Sequence, residues 1–402
     1  MARGINGKLS SLIALSARGF VRVNQRSSTT QLNVNRHYFL RPMSTSMRER
    51  NAAKALCTKD IFPKVQLHIH IDGAVRHETL WRIARKKGIP LPGRTLPEFV
   101  ETFRNQKRRD FATFLSNFDL ILPIIRGDQD VISQVAYELC EDQAREGVRY
   151  FEARYCPHFL ASPSRSSGDD VIVSPRDVVV AVNDGIRRGC RDYGVKGRTI
   201  LCMIRAFPEY SQEVIELSKE FFNDTVVGID LAGDENAPWA REHEDAYRIA
   251  RELGIHRTVH AGELGPADNV RFAIEQLGAE RIGHGYRITE NRDVYEMVRE
   301  KFIHLELCPT SSIQTGAWSG SLEDHCTMKF FKDGLNMGLN TDDPTIFCNT
   351  MTCEYQIARD HFGMTDRQLA DMTMNAARAS FLPEDEKKEL VRELQAEFDS
   401  RL

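Results

Sequence analysis

His68, His70 and Asp72 fall on every second position of the stretch L-H-I-H-I-D-G, residues 67 to 73. In an extended strand these three side chains share one face. Two imidazoles so placed can grip one metal ion while the strand backbone stays regular, and the carboxylate one step further can meet whatever the metal holds. An H-x-H pair on an alternating strand is more often polar decoration than a ligand pair, so this reading depends on further ligands elsewhere. They are found in H-A-G-E (260 to 263), H-G (284 to 285) and N-T-D-D-P (340 to 344), with the acidic D-L-A-G-D-E at 230 to 235 beside them.

Taken singly, each has a bland reading. His260 reads as a satisfied buried histidine, Glu263 as a helix-start carboxylate favoured by the dipole, and His284 as a turn residue between glycines. Asp342-Asp343-Pro344 reads as an N-cap before a helix-opening proline. Their joint occurrence is much harder to dismiss. Imidazoles and a carboxylate without thiolates suit Zn²⁺ in a hydrolytic role, or a related first-row ion. His68, His70, His260 and Asp342 would hold it and leave room for a water, while Glu263, Asp343 and His284 remain to move protons and orient groups.

The elements that must position these residues follow a rhythm. Eight short apolar runs rich in β-branched residues alternate with amphipathic helical stretches: Val65 to Ile69, Val148 to Arg154, Thr199 to Ile204, Val226 to Leu231, Arg257 to His260, Arg281 to His284, Phe302 to Leu307 and Leu335 to Leu339. Strand alternating with helix predicts a parallel sheet, and eight units predict closure into a single (β/α)8 TIM barrel of the α/β class. The chemical residues cluster where the runs end, the rim at which such barrels build active sites.

Additional helices are expected after the first strand and at the C-terminus. Residues 77 to 87 form an amphipathic segment stopped by Gly88, and Thr95 with Glu98 is expected to make a capping box around Pro97. Phe111, Phe114, Leu115 and Phe118 share one helical face, a structural stripe by default; their place in a long excursion after the first strand offers a lid as the alternative. Ser174-Pro175 opens a helix ending near Gly194, and Thr365 to Leu402 reads as two helices broken at Pro383. A Ser/Pro/Gly loop is expected at 161 to 170.

The chain has 402 residues and a formal net charge of −3, unevenly spread. Residues 1 to 48 hold eight of the 54 basic residues and none of the 57 acidic ones, leaving an acidic body that disfavours a nucleic-acid-binding face. The Arg- and Ser-rich extension, 1 to 48, reads as a disordered segment or an organellar transit peptide. A start at Met43 or Met47 and a signal-peptide core at Leu9 to Ala17 are the alternatives. Residues 49 to 402 are expected to form one catalytic domain. Nine scattered cysteines, none spaced C-x-x-C, indicate neither a disulfide framework nor a thiolate zinc site. No apolar run is long enough to span a membrane, and a reducing, cytoplasmic home is expected, with mitochondrial targeting raised by the extension.

From about Pro63 to Leu382 the chain resembles the adenosine/AMP deaminase family of the metal-dependent amidohydrolase superfamily. The likeness rests on P-K-V-x-L-H-I-H-I-D-G (63 to 73), I-D-L-A-G-D-E (229 to 235), H-R-T-V-H-A-G-E (256 to 263), G-H-G-Y (283 to 286), C-P-T-S-S (308 to 312) and L-N-T-D-D-P (339 to 344). It implies one catalytic Zn²⁺ and hydrolytic deamination of adenosine and 2′-deoxyadenosine to the inosine forms plus ammonia. On that resemblance Glu263 is the protonated acid that donates to N1 of the purine, and His284 with Asp343 handles the attacking water's proton. Gly233 offers a backbone N–H to the ring, Asp343 also meets N7, and Asp72 with His70 lies near the ribose hydroxyls. Phe114, Leu115 and Phe118 would line an apolar gate. Thr310 and Ala206 stand where well-known members have tryptophan and histidine, and the loop at 161 to 170 is shorter. A nucleoside substrate and a monomer are implied; a cell-surface docking partner is left open.

Overall fold

The computed structural model describes residues 62–104, 111–163, 172–222 and 224–402. The extension at 1 to 48 and most of the loop expected at 161 to 170 lie outside the described residues. Eight parallel strands pair in sequence order: β1 (Lys64–His70), β2 (Val148–Tyr155), β3 (Lys196–Ile204), β4 (Val226–Ala232), β5 (His256–Ala261), β6 (Arg281–His284), β7 (His304–Leu307) and β8 (Met337–Leu339). Each is one of the runs read from the sequence, with boundaries shifted by three residues at most. The strands are buried almost throughout because helices cover the sheet outside and side chains fill it inside.

A parallel bridge between Ile69 and Asp342 joins β1 to the segment just after β8. His70 N donates to Asp342 O (3.0 Å) and Asp342 N donates to His68 O (3.1 Å). The seam that completes the (β/α)8 TIM barrel is thus made by three of the four residues expected to hold the metal. Asp342 adopts φ 65° and His284 φ 68°, left-handed values uncommon for residues other than glycine. Strain of this kind persists where surrounding structure over-determines it and clusters at functional sites.

Among the described residues, five helices occupy the excursion between β1 and β2: His77–Lys87, Leu96–Arg104, Phe111–Ser116, Phe118–Ile125 and Gln129–Arg145. Thr95 and Glu98 only half fulfil the expected capping box. Thr95 Oγ1 accepts from Glu98 N (3.4 Å), but the Glu98 carboxylate accepts from Arg94 N (2.7 Å), one residue too early. The phenylalanine stripe spans two short helices meeting at Asn117, whose side chain donates back to Thr113 O and Phe114 O at the junction. Ser174 does form a capping box with Asp177, and the helix Pro175–Tyr193 ends at left-handed Gly194. The last two helices, Asp366–Ala379 and Glu384–Arg401, pack Met374, Leu390, Leu394 and Phe398 against Val65, Leu67 and Tyr150 of β1 and β2. No helix among the described residues is long and apolar enough to cross a membrane.

Candidate active site

His68 and His70 of β1, His260 of β5 and Asp342 after β8 each place one ligand-type atom within 4.8 Å of the others. Asp342 Oδ1 lies 3.2 Å from His68 Nε2 and 3.4 Å from His70 Nε2, and the Nε2 atoms of His70 and His260 are 3.2 Å apart. The two-residue spacing on β1 puts both imidazoles on one face; the other two groups arrive from strands four and seven positions further round the barrel.

What fixes the direction of the imidazole lone pairs lies one layer below. His68 Nδ1 is 2.9 Å from Glu306 Oε2, and His260 Nδ1 is 2.8 Å from Asp230 Oδ2. A carboxylate at Nδ1 holds the proton there and turns a bare Nε2 toward the cluster. His68 Nε2 is buried without a hydrogen-bond partner among the described residues. Arg154 ties the two carboxylates together, donating to Asp230 Oδ2 (2.9 Å) and Glu306 Oε2 (2.7 Å), while Arg281 Nε donates to Glu306 Oε1 (2.8 Å). Ser311 Oγ donates to Asp342 Oδ2 (2.7 Å). Burial opposes ionisation of Asp342, but the histidines around it outweigh that and hold its carboxyl well below the usual range. Burial also keeps His70 and His260 below the ordinary imidazole value and thus neutral. Burial opposes protonation of His68, but its hydrogen bonds to Asp342 and Glu306 outweigh that and raise it above the ordinary value. Three converging imidazoles and an ionised carboxylate form a donor set that fits a divalent cation, which would displace that proton.

Asp230, Glu306, Arg154 and Ser311 were not picked out from sequence as site residues. Glu306 carried a signal, since a carboxylate inside the buried strand H-L-E-L (304 to 307) requires a charged partner. Which partner depends on how β1, β2 and β7 lie around the barrel.

Glu263, His284 and Asp343 stand beside the cluster. His284 Nε2 lies 3.8 Å from Glu263 Oε2. Burial, then the charges of Asp342 and Glu235, push the Glu263 carboxyl well above its usual range, and burial followed by Asp342 does the same to Asp343. Burial holds His284 well below the ordinary value. Asp72 is pushed up to about 6 by burial. Gly73 explains how Asp343 fits: a β-carbon there would stand 1.7 Å from Asp343 Oδ1 and 2.5 Å from its Cγ. Glycine is thus required at the end of L-H-I-H-I-D-G by close approach. Gly233 is a glycine for a different reason, its φ of 98°, because a β-carbon would meet nothing nearer than 3.4 Å.

These groups open into a cavity of about 800 Å³, its mouth included. Its polar lining is His70, Asp72, His260, Glu263, His284, Asp342 and Asp343, with the backbone at Gly233. Phe111, Phe114, Leu115 and Phe118 form an apolar wall, in which Phe114 stacks on Phe347 with centroids 5.2 Å apart. Every sequence-derived candidate therefore meets at one site: His68 lies among the cluster's four, and the others line the cavity.

A buried ligand cage at the C-terminal mouth of a β/α barrel, with protonatable groups facing an apolar pocket, defines a metal-dependent hydrolase. The sequence model of the family described as adenosine deaminase matches residues 63–397. An adenosine deaminase from Xenopus tropicalis is 46% identical over 341 residues, covering 83% of this chain and 94% of that one. One from Gallus gallus is 43% identical over 339 residues, with the same coverage of 83% and 94%. The chain belongs to the adenosine deaminase family. Among solved structures it is similar to an adenine deaminase from Arthrobacter aurescens (TM-score 0.75, 26% identity, 83% of this chain and 98% of that one). An amidohydrolase from Burkholderia ambifaria with bound Zn gives a TM-score of 0.73 at 27% identity, covering 89% and 96%. An N6-mAMP deaminase from Arabidopsis gives 0.72 at 25%, covering 85% and 99%.

Proposed function

We propose that this chain is a zinc-dependent hydrolase that deaminates adenosine and 2′-deoxyadenosine to inosine and 2′-deoxyinosine with release of ammonia. The observation that carries it is Glu263, a carboxyl kept neutral by burial, standing beside a His/His/His/Asp cage in a pocket with an apolar wall. His68, His70, His260 and Asp342 would hold the ion, and the relative with bound Zn supports its identity. When bound, zinc supplies the Lewis acidity that makes water a nucleophile at neutral pH.

The remaining steps belong to the chain's own residues. Neutral Glu263 donates its proton to N1 of the purine, which weakens the ring's aromaticity and opens C6 to attack. His284, neutral because it is buried, accepts the proton that the attacking water gives up and passes it to the departing amine; as the C6–N bond breaks and the carbonyl forms, the proton left on the C6 oxygen returns to the Glu263 carboxylate. Asp343 has an unpartnered Oδ1 among the described residues; a neutral carboxyl there can donate to N7 while its other oxygen accepts from water. The backbone N–H of Gly233 meets the ring, and Asp72 with His70 serves the ribose hydroxyls. The phenylalanine wall and Leu115 shed water from the reacting centre.

Two structural relatives act on adenine and on a nucleotide, which sets the competing substrates. Recognition of a monophosphate calls for a basic side chain or a cradle of N–H donors. Among the described residues lining the cavity there is no lysine or arginine, which favours the uncharged nucleoside. Ultraviolet monitoring of adenosine, 2′-deoxyadenosine, AMP and adenine by purified protein, with and without chelator, tests the reading. Fastest turnover on the nucleosides, abolished by chelator and restored by zinc, is expected; faster AMP or adenine turnover refutes it.

A further inference from the structure

We propose that Glu235 is a positioning residue that aims Glu263 at the substrate, an inference that rests on the deamination reading above. Glu235 is buried, 7% exposed, and its carboxylate gathers four consecutive backbone N–H groups of the loop after β5. Gly262 N donates to Glu235 Oε2 (2.7 Å), while Glu263 N (2.7 Å), Leu264 N (2.9 Å) and Gly265 N (3.1 Å) all donate to Oε1. Asn269 Nδ2 donates to Oε2 (3.2 Å) and to the Glu235 backbone carbonyl (3.3 Å).

Four N–H groups on one largely buried loop would carry a heavy desolvation cost if left unpaired, and the two oxygens of one side chain satisfy all of them. The loop is shaped for that acceptor. A β-carbon on Gly265 would stand 2.7 Å from Glu235 Oε2, and Gly262 needs its φ of 68°. The captured peptides flank the Cα of Glu263 on both sides, so they set the axis about which its side chain leaves the backbone. Within 262–265, Glu263 is also the residue that lines the cavity. Glu235 thereby acts from β4's loop on a group carried by β5's loop. The bonds fall on the backbone and leave the Glu263 carboxyl free to work.

Glu235→Gln is the informative variant because it keeps shape and one acceptor but turns an NH₂ group against at least one backbone N–H. With adenosine as substrate, kcat is expected to fall about 10- to 100-fold while KM changes by less than about threefold, at unchanged zinc content. In a double-mutant cycle, adding Glu235→Gln to Glu263→Gln should cost less than about threefold, since the residue being aimed is already disabled. A structural role predicts multiplying losses, and that result overturns the proposal. Hydrogen exchange of the Gly262 to Gly265 amides gives a readout independent of turnover: Glu235→Gln should accelerate it about tenfold or more, and unchanged exchange overturns the clamp. Asn269→Ala, which loosens the carboxylate from one side, should show the same signature in milder form if Glu235→Gln folds poorly. A zinc-loaded wild type inert toward adenosine, with exchange still responding to Glu235→Gln, would instead refute the deamination reading and the aim assigned to Glu235.

Discussion

Gly73→Ala places one methyl group against the proposed machinery without replacing a proposed catalytic or ligand residue. The three atoms that its β-carbon would meet first are Asp343 Oδ1, Cγ and Cβ, at 1.7, 2.5 and 2.8 Å. Ordinary carbon–oxygen contact requires a retreat of roughly 1.5 Å by the carboxylate oxygen. The backbones cannot share that movement easily. Thr345 N donates to Gly73 O (2.8 Å) and Thr345 Oγ1 to Val75 O (2.6 Å), while Asp343 O accepts from Ile346 N and Phe347 N. The Asp343 side chain must therefore swing out of register with the cavity. A misplacement of about 1 Å at a reacting centre costs about 10²-fold in rate, or close to 3 kcal/mol in the barrier. Overpacking should also lower stability by about 1–3 kcal/mol. The assay pairs adenosine turnover by ultraviolet absorbance with zinc content and a urea melt. Gly73→Ala is expected to keep one zinc per folded chain and lose about 10²-fold in kcat/KM. Wild-type turnover to within about threefold, at full zinc content, would refute the assignment of Asp343 and the tight fit behind it.

Glu263→Gln cannot donate an acidic proton and should lower kcat by about 10²- to 10⁴-fold with zinc retained, checked by metal analysis beside kinetics. Asp230→Asn weakens the hold on His260 Nδ1, now 2.8 Å from Asp230 Oδ2, and should lower zinc affinity about 10- to 100-fold in a chelator competition. Burial holds His304 and His325 at about 4, so the unfolded chain takes up protons below its ordinary imidazole value of 6.5 that the folded chain refuses. Stability from this source is complete above that value and is lost as pH falls from 6.5 towards 4, amounting to about 2 kcal/mol per histidine near pH 5. Urea midpoints near pH 7.5 and pH 5 measure the drop, which His325→Gln should reduce by that residue's own share of about 2 kcal/mol.

Much of the fold was legible because a fully buried strand has to be an apolar run, and eight of them alternate with amphipathic stretches. The clustering of His68, His70, His260 and Asp342 was legible through residue type and position, since all four stand within three residues of a strand's C-terminal end, the side of the barrel mouth. Local rules failed where two neighbours competed for one acceptor, as at Glu98, which caps Arg94 N instead of completing a box with Thr95. For the phenylalanine stripe, spacing left a structural face and a lid both open; what it could not supply is Phe347, on which Phe114 stacks and which comes from the opposite end of the chain.

The sequence by itself determined the alternation of strands and helices and the ligand and acid/base residue types. Only the tertiary structure decided which of those residues meet. The two-residue spacing of His68 and His70 is local, but their meeting with Asp342 is made by the seam where β1 joins the segment after β8. Arg154 bridges the carboxylates behind two different ligands, and Glu235 reaches the loop that carries Glu263. The physical reason is the same in each case. A local pattern fixes what a side chain can donate or accept, whereas its partner, its burial and hence its protonation are set by strands that closure of the barrel brings together.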